Sequence, residues 1–177
     1  MTKEYADKGA KTLELTGSDL NDERFREAMS RVAAAVHIVT TAGPAGLGGI
    51  TATSVASVSI APPMMLFCIN KLSPSAARIT SNGVFCINTL TSSQQPIADV
   101  FAGRTGQRLE ERFAAGEWGK LATGAPALKD AAAVFDCRLT EVKEITTHLI
   151  MIGEVLAVDF GEQGSSLTYA HRKYGIL

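Results

Sequence analysis

The 177-residue sequence has few of the features that mark disulfide-rich, metal-binding, nucleic-acid-binding or membrane-spanning proteins. Its three cysteines, Cys68, Cys86 and Cys137, form no CxxC pair, so we expect buried, reduced thiols and neither a disulfide framework nor a metal site. The formal net charge of -1 gives no reason to expect a nucleic-acid or membrane-surface partner. No apolar run reaches the roughly 18 residues that a membrane-spanning helix needs.

Motifs of several enzyme classes are also missing. The sequence has no P-loop, no HExxH and no GxSxG, and no motif supports Ser-His-Asp catalysis. The glycine cluster at 46–49 precedes a strand-like segment instead of opening a helix, which argues against a Rossmann dinucleotide site.

The N-terminal residues are polar and lack the apolar middle of a signal peptide. We therefore expect residues 1–21 to form a mobile arm and the protein to be cytoplasmic. Hydrophobic residues make up 46 % of the chain, enough for one domain over residues 22–177 and for a substantial subunit interface.

The chain does contain many short strand-like segments with few helices between them, which indicates a mainly β antiparallel barrel. An amphipathic helix is predicted from a cap at Asp22, and its stripe of Phe25, Met29, Val32 and Val36 is expected to pack on a sheet. Segments 93–102 and 107–115 look helical, and 116–130 is predicted to be a loop that crosses the surface. Gly153 interrupts a long strand that begins at 148, so we expect a bulge there.

The segment from Gly46 to Ser75 has the most distinctive pattern. From Ile50 to Ile60 small apolar residues alternate with hydroxyl residues, so one face of this strand either lies against a ligand or is the solvated face of an edge strand. An apolar strand follows, and Ser73-Pro74 has the composition of a helix start. Free N–H groups and hydroxyls at such a start suit a phosphate, although most such caps bind nothing.

In the order of its segments the chain resembles the short-chain flavin reductases, the reductase components of two-component flavin monooxygenases. The resemblance covers about residues 22–175, and its most specific part is the GxTATS…SVS…PP string in GITATSVASVSIAPPMMLFCIN; FREAMSRVAAAVHIVTT, NGVFCINTL and HLIMIGEV add to it. The chain is especially similar to the pyrimidine-utilisation flavin reductases and to cob(II)yrinic acid a,c-diamide reductase.

The resemblance implies a split β-barrel of the FMN-binding type, with Greek-key order and a few peripheral helices. It implies a homodimer that holds FMN or FAD near the subunit interface and reduces it with NADH or NADPH. Hydride transfer depends on the stacking and orientation of the two cofactors, so the lack of an acid–base dyad in the sequence fits this reading.

The resemblance also assigns roles to individual residues. Those expected to line the flavin ring and ribityl chain are Thr51, Ala52, Thr53 and Ser54. Those expected at the ribityl and phosphate end are Asn70, Lys71, Ser73 and Ser75. Others expected to approach the cofactor are Asn88, Arg112 and Phe113. Those expected on the nicotinamide side are His148, Gly153, His171 and Tyr174, with His148, His171 and Tyr174 as catalytic candidates.

Several of these residues have a second interpretation. His148 either acts at the barrel rim or only caps its strand, and His37 is expected to be structural. His171 and Tyr174 would share one face if the tail is helical, where they either cover a cofactor or pack on a partner subunit. Arg172 and Lys173 either attract the phosphate of NADPH or are simply solvated.

The sequence therefore predicts an NAD(P)H-dependent flavin reductase that supplies reduced flavin to a partner monooxygenase. Two alternatives remain open. One is a reductase that passes the electron to Co(II) of a corrinoid in cobalamin biosynthesis. The other is a flavin-binding protein without turnover, which would not need the rim residues.

Overall fold

The computed structural model describes Gly17 and residues 20–177. The predicted N-terminal arm lies almost entirely outside the described residues. Within residues 20–177 the chain forms twelve strands, three α-helices and two short 3-10 turns, at Ser92–Gln94 and Glu111–Ala114. The helices are α1 (Asp22–Ser30), α2 (Pro74–Asn82) and α3 (Gln95–Phe101). The strands are β1 (Ala34–Ala35), β2 (His37–Thr41), β3 (Gly48–Ala52), β4 (Val55–Ile60), β5 (Pro63–Asn70), β6 (Val84–Thr89), β7 (Trp118–Lys120), β8 (Pro126–Leu128), β9 (Ala133–Ile145), β10 (His148–Asp159), β11 (Leu167–Ala170) and β12 (Lys173–Ile176).

A seven-stranded antiparallel sheet dominates the fold and is closed by a very short link. Its strand order is β3-β2-β6-β9-β10-β5-β4, so β3 and β4 occupy opposite edges. Only Thr53 and Ser54 separate these two strands in sequence, and such a link spans about 11 Å at most. The sheet must therefore curl until its edges meet, which confirms the predicted mainly β barrel.

Ser54 continues the pairing of β4 with β5 by hydrogen bonds to Cys68. Its carbonyl oxygen accepts from the Cys68 N–H at 3.1 Å, and its hydroxyl donates to the Cys68 carbonyl at 3.1 Å. The alternating strand predicted over 50–60 is thus two strands with a break at 53–54. The break turns the chain from one edge of the sheet to the other.

Two apolar cores lie on the two sides of this sheet, as the twofold alternation of strand side chains requires. In β2, Val39 faces the core closed by α2, and Ile38 faces the core beneath α3. The first core contains an edge-to-face pair of Phe67 and Phe85, whose ring centroids are 5.1 Å apart. A Cβ on Gly153 would lie 2.6 Å from the Phe85 ring, and the pairing register of β10 shifts at Gly153, which confirms the predicted bulge. Gly153 makes room for a core phenylalanine.

The first helix differs from its prediction. Asn21, not Asp22, is the cap, and its side-chain oxygen accepts from the Arg24 N–H at 2.9 Å. Three of the four residues of the expected packing stripe are exposed: Phe25 is 57 % exposed, Met29 51 % and Val32 56 %. The fourth, Val36, is buried but lies beyond the end of the helix. The prediction that this stripe packs on the sheet is wrong for a single copy of the chain.

Segment 116–130 is not a surface loop, and that prediction is also wrong. It folds into the hairpin of β7 and β8, and Ala125, Ala127 and Leu128 are buried. The reason is Asn88, whose side-chain oxygen accepts from the Leu128 N–H at 2.7 Å while its amide donates to the Ile38 carbonyl at 3.0 Å. One buried amide thus joins β8 to β2.

The tail is a hairpin of β11 and β12, not a helix. His171 and Arg172 form its turn with φ values of 51° and 59°, in the left-handed region that two-residue hairpin turns use. His171 and Tyr174 therefore do not share a helical face.

No helix among residues 20–177 combines the length and the apolarity needed to cross a membrane.

His37 is buried in β2, as expected of a structural histidine, and its Nδ1 lies 3.0 Å from the Thr89 hydroxyl. Burial lowers the pKa of His37 from 6.5 to about 4.

Because the unfolded chain protonates its histidine at a higher pH than the folded chain does, folding stability should fall as the pH drops below about 6.5 towards about 4. We expect His37 to account for a loss of about 2 to 3 kcal/mol between about pH 7.5 and about pH 4.5. Urea unfolding of the wild type and of His37→Gln across this range measures the effect, and equal pH slopes for the two proteins would contradict it.

Candidate functional site

A cavity of about 650 Å³ opens where the β3–β4 break meets the end of β5, the start of α2 and the chain that follows α3. The residues that line it are Ile50, Thr51, Ala52, Thr53, Ser54, Cys68, Ile69, Asn70, Ser73, Pro74, Ser75, Phe101, Ala102, Gln107, Arg108, Leu109, Arg112 and His148. Nine of the residues predicted from the sequence are among them: Thr51, Ala52, Thr53, Ser54, Asn70, Ser73, Ser75, Arg112 and His148. Cys68 lines the cavity and is only partly buried, unlike Cys86 and Cys137.

The wall at 51–54 consists of small side chains, and two of its hydroxyls are engaged in the fold. Thr51 donates to the Ala98 carbonyl of α3 at 2.7 Å, and Ser54 donates to Cys68. The sheet pairing breaks at 53–54, so this wall presents main chain and small side chains to the cavity. Such a surface suits a flat ring system whose edge carries hydrogen-bonding atoms.

The two serines at the start of α2 have different surroundings. Ser73 is the cap residue of a helix that has Pro74 in its first turn, as predicted, yet its hydroxyl makes no capping hydrogen bond. Ser75 is 0 % exposed, and its hydroxyl both accepts from the Gly49 N–H and donates to the Gly49 carbonyl, each at 3.1 Å. The Ser75 hydroxyl therefore fixes α2 to β3, and the Ser73 hydroxyl is the one available to a ligand.

The cavity has cationic and no anionic side chains among the described residues that line it. Arg108 and Arg112 contribute guanidinium groups, and no Asp or Glu belongs to the lining. Arg112 donates from Nη1 to the Phe101 carbonyl at 3.2 Å, and its buried Nε has no hydrogen-bond partner in the described structure. This end of the cavity is suited to an anion, because guanidinium groups bind phosphate oxygens well.

Sequence reasoning missed Arg108 and the residues beside it. The prediction of a helix over 107–115 is wrong, because only Glu111–Ala114 forms a short 3-10 turn. Gly103 and Gly106, with φ values of 76° and 79°, let the chain leave α3 and return along the cavity. These two glycines were the signal in the sequence that could have indicated this path of the chain.

Six predicted residues are not among those that line the cavity. Lys71 pairs with Glu144 at 2.6 Å, Asn88 is buried in the amide bridge to β8, and Gly153 packs under Phe85. Phe113 belongs to an aromatic cluster, 5.1 Å from Phe101 and 5.2 Å from Trp118 between ring centroids. His171 lies in the tail turn, and its N–H donates to the Ser30 carbonyl.

Tyr174, the sixth, lines a smaller neighbouring cavity of about 210 Å³. The two cavities share Thr51, Ala52, Thr53 and Ala102. The Tyr174 hydroxyl donates to Asp99 Oδ1 at 3.2 Å, and Arg104 donates to the same oxygen at 2.7 Å. Burial, followed by the Asp99 carboxylate, raises the pKa of Tyr174.

His148 is the first residue of β10 and is exposed at the cavity rim, with its Nδ1 2.9 Å from the Thr147 hydroxyl. Its position is compatible with both interpretations made from the sequence. A catalytic role for His148 stays a prediction.

Comparison with known proteins gives this geometry a family. Residues 29–177 match the profile of the flavin reductase like domain. The chain belongs to the flavin reductase-like family. Its curated relatives include "FMN reductase (NADH) RutF 1" of Methylorubrum extorquens, 48 % identical over 153 residues, with 86 % of this chain and 75 % of the relative covered. They also include "FMN reductase (NADH) RutF" of Variovorax paradoxus, 45 % identical, with 85 % and 82 % covered.

Solved structures of flavin reductases have the same fold as this flavin reductase-like chain. A putative flavin reductase from Haemophilus somnus superposes with a TM-score of 0.85 at 38 % identity, covering 89 % of this chain and 100 % of that one. BorF, the flavin reductase component of a bacterial two-component tryptophan halogenase, gives 0.82 at 28 %, covering 89 % and 98 %. The flavin reductase PheA2 gives 0.81 at 28 %, covering 89 % and 99 %.

The two serines at the start of α2 provide a matched pair of substitutions. Ser75→Ala leaves the Gly49 N–H and carbonyl without their buried partner and should lower the free energy of unfolding by about 1 to 3 kcal/mol. Ser73→Ala removes a hydroxyl that holds nothing in the fold, and it should change stability by less than about 0.5 kcal/mol. Urea unfolding measures both. A larger loss of unfolding free energy for Ser73→Ala than for Ser75→Ala would contradict the assignment of Ser75 to the fold and of Ser73 to the ligand.

Proposed function

We propose that this flavin reductase-like chain is an NADH-dependent FMN reductase that supplies reduced flavin to a separate monooxygenase. The observation that carries the proposal is the cavity itself. It joins a small-residue wall at a break in sheet pairing to a cationic end made by Arg108 and Arg112. The curated relatives, both FMN reductases that use NADH, support the choice of cofactor and hydride donor.

The residues of the cavity fit FMN in size and chemistry. A volume of about 650 Å³ lies within the range usual for cofactor sites. Main-chain groups near 51–54 suit the polar edge of the flavin ring, and Ser73, Arg108 and Arg112 suit its phosphate. Bound FMN would supply the ring that accepts hydride from nicotinamide. The chain would hold that ring, orient it, and direct N–H donors at the N1–C2=O2 region, where reduction adds negative charge.

We propose the partner that consumes the reduced flavin by comparison with a solved structure of the family. BorF is the reductase component of a two-component system, and we extend that arrangement to this chain. The corrinoid alternative has no observation in the structure that favours it over flavin reduction, and it stays an untested prediction. A flavin-binding protein without turnover would not oxidise NADH, so the NADH oxidation assay described next distinguishes it from the proposed reductase.

Arg112 provides the sharpest test of the proposed function. Arg112→Met should raise the KM for FMN about tenfold, because a charge-assisted contact to phosphate is lost. The KM for riboflavin, which has no phosphate, should change less than about twofold. Steady-state oxidation of NADH with each flavin measures both constants.

Arg138→Met is the matched control, because Arg138 pairs with Glu154 at a site outside the cavity lining. It should leave both KM values unchanged. No NADH oxidation by the wild type with any flavin would contradict the enzyme assignment. Equal losses for FMN and riboflavin in Arg112→Met would contradict the phosphate contact.

We also propose that the protein is a homodimer, and the exposed stripe of α1 supports this. An amphipathic helix whose apolar side chains are more than half exposed in its own chain is suited to an intersubunit contact. Phe25 and Met29 carry the argument because both are more than half exposed. A second copy of the chain would cover them.

Multi-angle light scattering tests this contact. The wild type should have the mass of a dimer, and Phe25→Asp combined with Met29→Asp should shift it towards the monomer, because charges are costly to bury. Arg24→Ser, a polar substitution on the same helix, should leave the mass unchanged. A monomeric wild type, or an unchanged dimer in the double variant, would count against this interface.

A further inference from the structure

The arginine-bearing segment 107–112 is held to the rest of the cavity by few polar contacts. Within the segment, Arg108 receives local support, since its N–H donates to Glu111 Oε2 at 2.9 Å. Arg112 is bonded to Phe101, immediately before the loop. These contacts stay within α3 and the loop that follows it. They do not connect the segment to α2, which lies on the opposite side of the cationic end.

Arg78 makes that connection. It projects from α2, and its Nη2 lies 2.6 Å from Glu110 Oε1. Its Nη1 also donates to the Leu47 carbonyl, just before β3. Among the ion pairs described for residues 20–177, this is the one that joins segment 107–112 to α2. Neither Arg78 nor Glu110 is among the described residues that line the cavity.

The side chain of Arg78 is well placed for this role. It is only 26 % exposed and runs along the glycines that precede and open β3, so that a Cβ on Gly48 would lie 3.4 Å from its Cβ and Cδ. A side chain confined in this way loses less conformational entropy when it pairs than a free one does. Arg78 thus connects three parts that meet near the cavity: α2, the start of β3 and segment 107–112.

We propose that Arg78 and Glu110 are positioning residues that hold Arg108 and Arg112 at the phosphate end of the cavity. They thereby set the affinity for phosphorylated flavins. The inference rests on the proposed function, because it takes the anion at this end to be the flavin phosphate. Arg108 and Arg112 contact the phosphate, and the Arg78–Glu110 pair fixes the positions of these two arginines.

A positioning role and a purely electrostatic role make opposite predictions for Glu110. If the pair acted only through its electric field, Glu110→Gln would remove a negative charge and tighten binding of the phosphate. If it positions the segment, Glu110→Gln weakens binding despite the more favourable field. At about 0.15 M salt the Debye length is about 8 Å, which keeps the field contribution small.

The experiment measures flavin binding by the quenching of flavin fluorescence in the absence of NADH. We expect Glu110→Gln to raise the Kd for FMN about threefold, the order of effect an exposed ion pair provides. We expect Arg78→Met to raise it about tenfold, because the bond to Leu47 is lost as well. Both variants should bind riboflavin within about twofold of the wild type, and Glu110→Gln should keep the wild-type Tm within about 2 °C.

Glu117→Gln is the matched control, since Glu117 forms an exposed ion pair with Lys129 at 2.8 Å and neither residue lines the cavity. It should bind FMN as the wild type does. Tighter or unchanged FMN binding by Glu110→Gln overturns the proposal, and so does an equal loss of riboflavin affinity. If the wild type itself binds no FMN, the proposed function fails; if the wild type binds and only Glu110→Gln is unaffected, the positioning role alone fails.

Discussion

The two-residue link between β3 and β4 is the constraint on which the rest of the structure depends. Because these strands occupy opposite edges of the main sheet, a link this short forces the edges together and closes the barrel. Closure leaves Thr53 outside the pairings of both strands, while the Ser54 carbonyl oxygen still accepts from Cys68. The cavity of about 650 Å³ lies at this turn between the two edges.

The polar side chains around this break are divided between holding the fold and facing the cavity. The hydroxyls of Thr51, Ser54 and Ser75 are bonded to Ala98, Cys68 and Gly49, so they keep α3, β5 and α2 in place. Each of these hydroxyls donates its proton within the fold, so it can offer a ligand only acceptor lone pairs, whereas a phosphate needs donors. Discrimination between ligands then depends on the groups that remain, at the cationic end.

The sequence was most informative where a local pattern determines structure. The Ser73-Pro74 helix start, the bulge at Gly153 and the small-residue wall at 51–54 all follow from backbone requirements of the residues concerned, and nine predicted site residues line one cavity. It was least informative where a distant partner decides. The resemblance placed Asn88 near the cofactor, and nothing in its sequence neighbourhood shows that it bonds Leu128, forty residues away. The prediction of a helix over 107–115 missed the redirection of the chain at Gly103 and Gly106, after which only a short 3-10 turn forms. The hairpin of the tail was not predicted, because its turn residues adopt positive φ without a glycine to signal it.

Among the described residues that line the cavity there is no acid–base pair, which is consistent with a reaction whose chemistry resides in two cofactors. A protein in that position contributes orientation, an electrostatic environment and control of what binds. In the proposed function, the wall fixed by barrel closure orients the flavin. Segment 107–112, which leaves α3 through two glycines and is tied to α2 by the Arg78–Glu110 pair, controls binding at the cationic end. This division suits a reductase that must align its flavin for hydride transfer and afterwards release it to a separate oxygenase.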